Sequence, residues 1–366
     1  MTDNASISNA TLGTPSLPDI SLFEFATEGA ALSLLCVIGI LGNIVSLAIL
    51  SRPEMRSPVN CGLQGLAFFD TVVLISSVTM LGLHKLGYKL DILRSYTFDA
   101  FPFVVLVAYP VGLIAQTGSV WMTVGVTVER YVAVCHPLRA RFLCTHRRAR
   151  LCTVAVAVLA IAYNAPRFLE IQLVRVAPGQ YVAKPSQFRM NRLYYKVYYI
   201  WLYLFVMYFI PFLTLAVLNC CIWRAVRNAS ANRQHLTQRQ QKELGLATML
   251  ICVVVVFFVC NALALLVNVM ELFDMYQPAL VRVSNLLVTL NSSVNFLVYC
   301  IFGQKFRRMF LEMFLKCTRR SRAPRSIRSY YSSSVRTETL RSVVASSPSC
   351  HKTRTSNGNC AQLSSL

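Results

Sequence analysis

Charge is scarce in this chain. Asp, Glu, Lys and Arg make up only 14% of its 366 residues, against about a quarter in an ordinary soluble domain. Acids are scarcer still, 15 against 36 Lys and Arg, for a formal net charge of +21. That shortage excludes a soluble globular domain of this size. The basic excess sits in a few short segments and the C-terminal tail, a distribution that argues against nucleic-acid binding. There is no leader with a basic start and a short apolar core: Asp3, Asp19, Glu24 and Glu28 all precede the first apolar block, so no cleavable signal peptide is expected. The five histidines, His84, His136, His146, His235 and His351, have no metal-ligand spacing and no nucleophile motif accompanies them, so nothing points to an enzyme. Internal repeats and broken half-helices are lacking too, which counts against a transporter or channel.

What the chain has is apolar sequence in long runs. It is 55% hydrophobic, with a mean hydropathy of +0.52. A helix needs about 20 apolar residues to cross a bilayer, and seven blocks qualify: 30–50, 59–83, 101–134, 151–166, 197–223, 244–272 and 280–302. In lipid every backbone polar group must be satisfied internally. The expectation is therefore an all-α membrane protein, a seven-transmembrane helix bundle over 30–302. Seven crossings put the termini on opposite sides.

Short loops rich in Lys and Arg stay in the cytoplasm. The segment after the third block holds Arg139, Arg141, Arg147, Arg148 and Arg150; that after the fifth holds Arg224, Arg227, Arg233, Arg239 and Lys242. The other loops mix signs, with Asp91 and Asp99 near Lys89 and Arg94, and Glu271 and Asp274 near Arg282. Residues 1–29 are then an extracellular tail, and the C-terminus is cytoplasmic. The sequons at Asn4 and Asn9 lie in that outer tail, as glycosylation requires; those at Asn228 and Asn291 fall in a cytoplasmic segment and inside a helix. All thirteen cysteines fall in apolar blocks or basic segments, so no extracellular disulfide is expected.

Past the seventh block, Phe302, Phe306, Phe310 and Phe314 recur every four residues, with Lys305, Arg307 and Arg308 between them. This predicts an eighth, amphipathic helix over 303–317 on the inner membrane surface, its basic side toward anionic lipid. Cys317 there either carries a palmitoyl chain or stays a free thiol. Residues 318–366, rich in Ser, Thr and Arg, read as a disordered cytoplasmic tail with phosphorylatable hydroxyls.

Polar groups inside the apolar blocks are costly and so mark function. Asp70 lies in the second block, Asn43 in the first, Ser119 in the third, Asn291 and Asn295 in the seventh. If their faces converge, a carboxylate sits among hydroxyl and amide oxygens. Such a set suits sodium or a water cluster, or it serves only to hydrogen-bond helix to helix. Glu129-Arg130-Tyr131 closes the third block. Arg130 stays charged and needs an acid, either adjacent Glu129 or Glu243 at the start of the sixth block. A pair to Glu243 would hold the cytoplasmic side shut; the other reading is an ordinary interfacial salt bridge.

At this point the residues resemble a known family. Glu129-Arg130-Tyr131-Val132-Ala133-Val134-Cys135-His136-Pro137-Leu138 looks like the third-helix end of rhodopsin-like G-protein-coupled receptors. Gly42-Asn43, Leu66-Ala67 before Asp70, Pro211, and Asn295 through Tyr299 fall in the matching helices. Within that family, Asn164 to Glu170, Gln241 to Leu250 and Leu290 to Phe296 resemble invertebrate FMRFamide receptors. The resemblance implies a plasma-membrane receptor that couples an extracellular ligand to a heterotrimeric G protein by outward motion of helix 6, with arrestin and receptor kinases as further partners. It implies Arg130 as the switch arginine, Glu243 as its inactive-state partner and Tyr299 as an inward-swinging tyrosine. It implies Asp70, Ser119, Asn291 and Asn295 as a sodium site; no other cofactor follows. The sequence departs from the family at Phe296, where proline is usual, at Cys260-Asn261-Ala262-Leu263, where Trp and Pro are usual, and at Val105, near the usual helix-3 cysteine.

The ligand class follows from the outer halves of the helices. Gly112 stands where amine receptors carry a carboxylate, and Thr289 where opsins carry a lysine. The long second outer loop is rich in aromatic and basic residues. Glu170, Glu271 and Asp274 can meet an arginine on a peptide, Tyr194, Tyr195, Tyr198 and Tyr199 its aromatic side chains, and Gln116 and Asn268 a C-terminal amide. An amidated peptide ending in Arg-Phe is the expected ligand; a ligandless, constitutively active receptor is the alternative.

Overall fold

The computed structural model describes residues 21–90, 93, 95–231 and 238–322, apart from the side chains of 230–244 and 314–322. Seven of its helices are long and apolar enough to cross a membrane: α1 Leu22–Leu50, α2 Pro58–Leu90, α3 Tyr96–Cys135, α4 His146–Leu169, α5 Tyr194–Ala229, α6 Gly245–Leu272 and α7 Pro278–Phe302. An eighth helix, α8, spans Gln304–Arg322, and a short helical segment, Pro137–Leu143, follows α3. The end of the bundle where α1 starts is here called the amino end, and the opposite one, carrying the Arg-rich turns, the basic end.

Six of the seven helices begin before the expected start of their apolar block, and α6 begins within one residue of it. α1 starts at Leu22 rather than residue 30, so the expected tail over 1–29 is already helical in its last part. The reason is local chemistry that hydropathy does not register. The Ser21 hydroxyl accepts from the Glu24 amide at 3.2 Å, a side-chain cap on an orphan donor. Glu24 then pairs with Lys85 of α2, and with Arg282 of α7 at 3.1 Å. The Thr145 hydroxyl caps α4 through the Arg148 amide at 3.4 Å, which starts that helix at His146 rather than residue 151.

Small residues let the helices touch. A Cβ on Gly39 of α1 would stand 2.5 Å from the Ser293 hydroxyl of α7, and one on Gly118 of α3 would stand 2.5 Å from the Phe69 ring of α2. Van der Waals packing of this kind holds helices together where lipid supplies no hydrophobic drive. Between α3, α5 and α6 the core is apolar: Val120, Val124, Leu204, Met207, Leu215 and Phe257 are all buried. The outside is apolar as well. Leu34, Val37, Ile38, Leu41 and Ile44 of α1 and Leu151, Val154, Val158, Leu159 and Ile161 of α4 are all exposed, a band that water would not tolerate and lipid would.

Two features were not anticipated. The loop between α4 and α5 folds into an antiparallel hairpin, β1 Ile171–Ala177 and β2 Gln180–Pro185. Its turn is Pro178-Gly179, with Gly179 at φ +80, where a side chain would be strained. In addition, α1, α2, α3 and α5 each contain wide π-type turns, at Phe25–Ala31, Val78–Gly82, Tyr96–Ala100, Tyr194–Leu202 and Phe205–Phe209. All lie toward the amino end of the bundle. Such turns cluster at functional sites.

Candidate functional site

Midway along the bundle the expected polar residues meet. Asp70 of α2 is fully buried. The Ser119 hydroxyl of α3 donates to its Oδ1 at 2.6 Å, and the Asn295 amide of α7 donates to its Oδ2 at 2.7 Å. The Asn43 amide of α1 donates to the Ser292 carbonyl at 3.0 Å. Ser292 rather than Asn291 approaches the carboxylate: its hydroxyl is a third group on Asp70, whereas Asn291 is half-buried one residue back. One step along a helix rotates a side chain by about 100°, and that places Ser292 in the network. The donor set is one carboxylate and two hydroxyls, oxygen throughout, which fits a hard cation.

At the basic end Arg130 is 4% exposed. Its Nη2 lies 3.7 Å from Glu129 Oε1, a Coulombic contact too long for a hydrogen bond. Tyr131 turns away and stands 3.3 Å from His136 Nε2. The side chain of Glu243 lies outside the described residues. Tyr299 is buried, its ring edge-on to Phe306 at 5.6 Å, and its hydroxyl has no hydrogen-bond partner among the described residues. Phe296, in the usual proline position, lies against Gly42 and meets Phe306 edge-on at 6.1 Å.

At the amino end the structure corrects one expectation. Glu170 does not face an incoming ligand; it is 0% exposed. Arg167 Nη1 meets its Oε1 at 2.9 Å, the Tyr194 hydroxyl donates to the same oxygen at 2.6 Å, and the Tyr109 hydroxyl of α3 donates to Oε2 at 2.7 Å. The arginine that was expected on a peptide is supplied by the chain itself. Its guanidinium lies over the rings of Tyr199 at 4.7 Å, Tyr198 at 5.0 Å and Tyr203 at 5.6 Å, the geometry of a cation–π cage. Glu170 is also the residue from which the hairpin departs, and its carbonyl accepts from the Ser186 amide at 2.8 Å on the hairpin's return. Its carboxylate thus ties both ends of the loop to α3.

The other candidates, on α3, α6 and the turn after α6, are half-buried or exposed. Glu271 of α6 is half-buried and accepts from the Tyr195 hydroxyl at 3.2 Å. Asn268, one turn earlier, donates to the Ala264 carbonyl at 2.7 Å and to the Tyr208 hydroxyl at 3.3 Å. Gln116 of α3 is half-buried with no hydrogen bond among the described residues. Asp274, at φ 57 in the turn after α6, is exposed.

This order of polar sites along seven helices matches the model of the 7 transmembrane receptor (rhodopsin family) over residues 42–299. The chain belongs to the rhodopsin family of seven-transmembrane receptors. It is 47% identical over 299 residues to the FMRFamide receptor of Drosophila melanogaster, a match covering 80% of this chain and 54% of that receptor. It is 36% identical to the FMRFamide peptide receptor frpr-18 of Caenorhabditis elegans, over 76% of this chain and 67% of the relative. The sex peptide receptor of Drosophila melanogaster is 27% identical, over 78% and 72%. The chain thus spans about half the length of the Drosophila FMRFamide receptor.

As a rhodopsin-family receptor this chain has an unusual sixth helix. Where Trp and Pro are usual, Asn261 is buried and its side-chain amide donates to the Phe257 carbonyl at 2.9 Å, the acceptor that the helix ladder also uses. A shared carbonyl weakens the ladder locally, in the stretch where a proline would otherwise interrupt it. Phe257 packs against Phe212 of α5 at 5.5 Å, and Phe258 meets the same ring edge-on at 5.0 Å. These aromatic contacts join α5 to α6 at this level.

Proposed function

We propose that the chain is a plasma-membrane receptor, amino end outside and basic end in the cytoplasm, that binds an amidated peptide of the FMRFamide type and activates a heterotrimeric G protein. The names of the Drosophila and Caenorhabditis FMRFamide receptors support the ligand class, and one observation in this chain supports the contact. Of the described carboxylates at the amino end, Glu24 and Glu28 lie against Arg282, and Glu170 against Arg167. Glu271 is the half-buried acid with no cation among the described residues. An arginine side chain of the peptide completes it, with Gln116 and Asn268 available to the terminal amide and Tyr195 to the aromatic ring.

Peptide binding favours a state in which α6 leaves α3 at the basic end, and a ligand shifts that equilibrium only by its differential affinity for the two states. Arg130 is the group released, and Tyr299 gains in that state a polar partner for its hydroxyl. Sodium at Asp70, held with Ser119 and Ser292, favours the closed state. Receptor kinases and arrestin act on the Ser- and Thr-rich tail, Asn4 and Asn9 carry glycans, and Cys317 a palmitoyl chain; all of these lie outside the described side chains.

The test is a calcium or cAMP readout in cells displaying the full chain, challenged with amidated peptides. An Arg-Phe-amide peptide should signal, and Glu271→Gln should weaken it about 10- to 100-fold, in the range for losing one partner of a charge pair. A peptide with citrulline for arginine should lose as much on the native receptor and no more on the variant. Silence toward every amidated peptide from a verified surface-displayed receptor would refute the ligand class; an unchanged potency in Glu271→Gln would refute the contact.

A further inference from the structure

The α4–α5 loop ends in a single helical turn, Gln187–Met190, between β2 and α5. Ser186 anchors it: its hydroxyl accepts from the Arg189 amide at 3.4 Å and donates to the Leu169 carbonyl. The turn delivers Arg189 to the amino end of α5. There its Nη2 donates to the Tyr199 hydroxyl at 2.9 Å, and its guanidinium lies over the Tyr199 ring at 4.8 Å. Arg167 lies over the same ring at 4.7 Å. Glu170 pairs with Arg167 and with two tyrosine hydroxyls, whereas half-buried Arg189 makes no ion pair among the described residues. Two cations over one ring, with one carboxylate between the three side chains, leave a positive charge uncompensated. On its other side Tyr199 stacks on Tyr195, with centroids 5.2 Å and planes 13° apart, and the Tyr195 hydroxyl donates to Glu271 at 3.2 Å. The row therefore runs Arg189, Tyr199, Tyr195, Glu271. A cation and an acid, each without an ion-pair partner among the described residues, stand at opposite ends of two stacked rings.

We propose that Arg189 binds a carboxylate of the peptide, an Asp or Glu side chain upstream of the Arg-Phe-amide end. The proposal rests on the ligand reading above, in which Glu271 takes the arginine of the peptide. A guanidinium partly out of water favours a carboxylate, whose two oxygens match its paired N–H groups. An amidated peptide has no terminal carboxylate, so the acid is a side chain. The steps along the row, 4.8 and 5.2 Å, keep the guanidinium within about 10 Å of the Tyr195 ring, a span of about three residues of extended chain. The acid therefore belongs in the few positions before the arginine. The receptor reads a charge pattern, acid first and arginine second, and Arg189 sets the choice among amidated peptides that share the Arg-Phe end. An arginine that only packed on Tyr199 would stiffen the turn and serve every such peptide alike.

The test uses cells displaying the full chain, a calcium or cAMP readout, and heptapeptides ending in Arg-Phe-amide. Each carries Asp at one upstream position and Ala at the others, and each has a twin with Asn in place of Asp. On the native receptor the Asp peptide should be about 10-fold more potent than its twin at one of the positions before the arginine, the usual worth of a hydrogen bond to a charged group. In Arg189→Gln that preference should vanish, while the Asn twins keep their potency to within a few-fold. In Arg189→Glu, Lys at the same position should outperform Asp. The response to the Asn twins shows that each variant is folded, and the native comparison needs no variant. Equal Asp and Asn potency at every position of the native receptor overturns the proposal and leaves the Arg-Phe-amide reading standing. An equal loss for Asp and Asn peptides in Arg189→Gln gives Arg189 a packing role and overturns it as well. Silence toward every peptide sinks the underlying ligand reading, and this proposal with it.

Discussion

Replacing Arg167 by methionine would test whether a buried charge pair holds the α4–α5 loop at this receptor's amino end. Arg167 and Glu170 are 2% and 0% exposed at the side chain. Without the arginine, Glu170 keeps two tyrosine hydroxyls but no ion-pair partner, only the more distant charge of Arg189, in a site that water does not reach. Breaking one partner of a buried pair costs about 3–5 kcal/mol, and loss of the stacking on three tyrosine rings adds to it. At about 2 °C per kcal/mol for a domain of this size, the melting temperature falls by roughly 6–10 °C. Replacing both residues by methionine removes the charge together with its counter-charge, and for such swaps the outcome is often neutral. The double variant should therefore melt within about 2 °C of the native protein. The assay is thermal unfolding in detergent followed by a thiol-reactive dye, for which buried Cys36, Cys61 and Cys260 are internal reporters. A single variant that melts with the native receptor, or a double variant as unstable as the single, would refute the argument. The hairpin gives a second reading: protease cleavage at Pro178-Gly179 should quicken in both variants, because in both the Glu170 carboxylate bridge to Tyr109 is lost or uncompensated.

Two further outcomes follow from the remaining layers. Raising NaCl at constant ionic strength should lower agonist affinity several-fold in the native receptor and leave Asp70→Asn unaffected, as measured by competition binding with N-methylglucamine as the replacement cation; equal sodium sensitivity in both would remove the cation from Asp70. Glycan mapping of Asn4→Gln and Asn9→Gln, paired with protease protection of the segment after residue 322, should place the two termini on opposite faces; finding them on one face would overturn the topology and the receptor mechanism with it.

The bundle was legible in the sequence because lipid solvation is a bulk property: about 20 consecutive apolar residues suffice to place a crossing. The helix ends were not, because Ser21, Thr145 and the Glu24–Lys85–Arg282 contacts stabilise turns that hydropathy counts as polar. The hairpin did leave a signal: Pro178-Gly179 flanked by β-branched residues is a turn between strands. The Asp70 network was legible because isolated polar residues in apolar blocks have few places to go, although the choice between Asn291 and Ser292 needed the helical phase. Glu170 was misread for a different reason. Its spacing from Arg167 is that of a helix pair, a cue available in the sequence, but the decisive donors, Tyr109 and Tyr194, lie 61 and 24 residues away in the chain. Only the folded chain brings them to one carboxylate.

The wide turns near the amino end carry a consequence for how this molecule diversifies. Each inserts one residue into the spiral, so everything beyond it is rotated by about 100° relative to an unbroken helix. A helical wheel drawn upward from Asp70 therefore assigns the wrong flank to residues past such a turn in α2, and one drawn from Leu215 does the same in α5. Gain or loss of a single codon there would re-aim the upper side chains while the lower half kept its register, leaving new recognition free to arise above a conserved transmission.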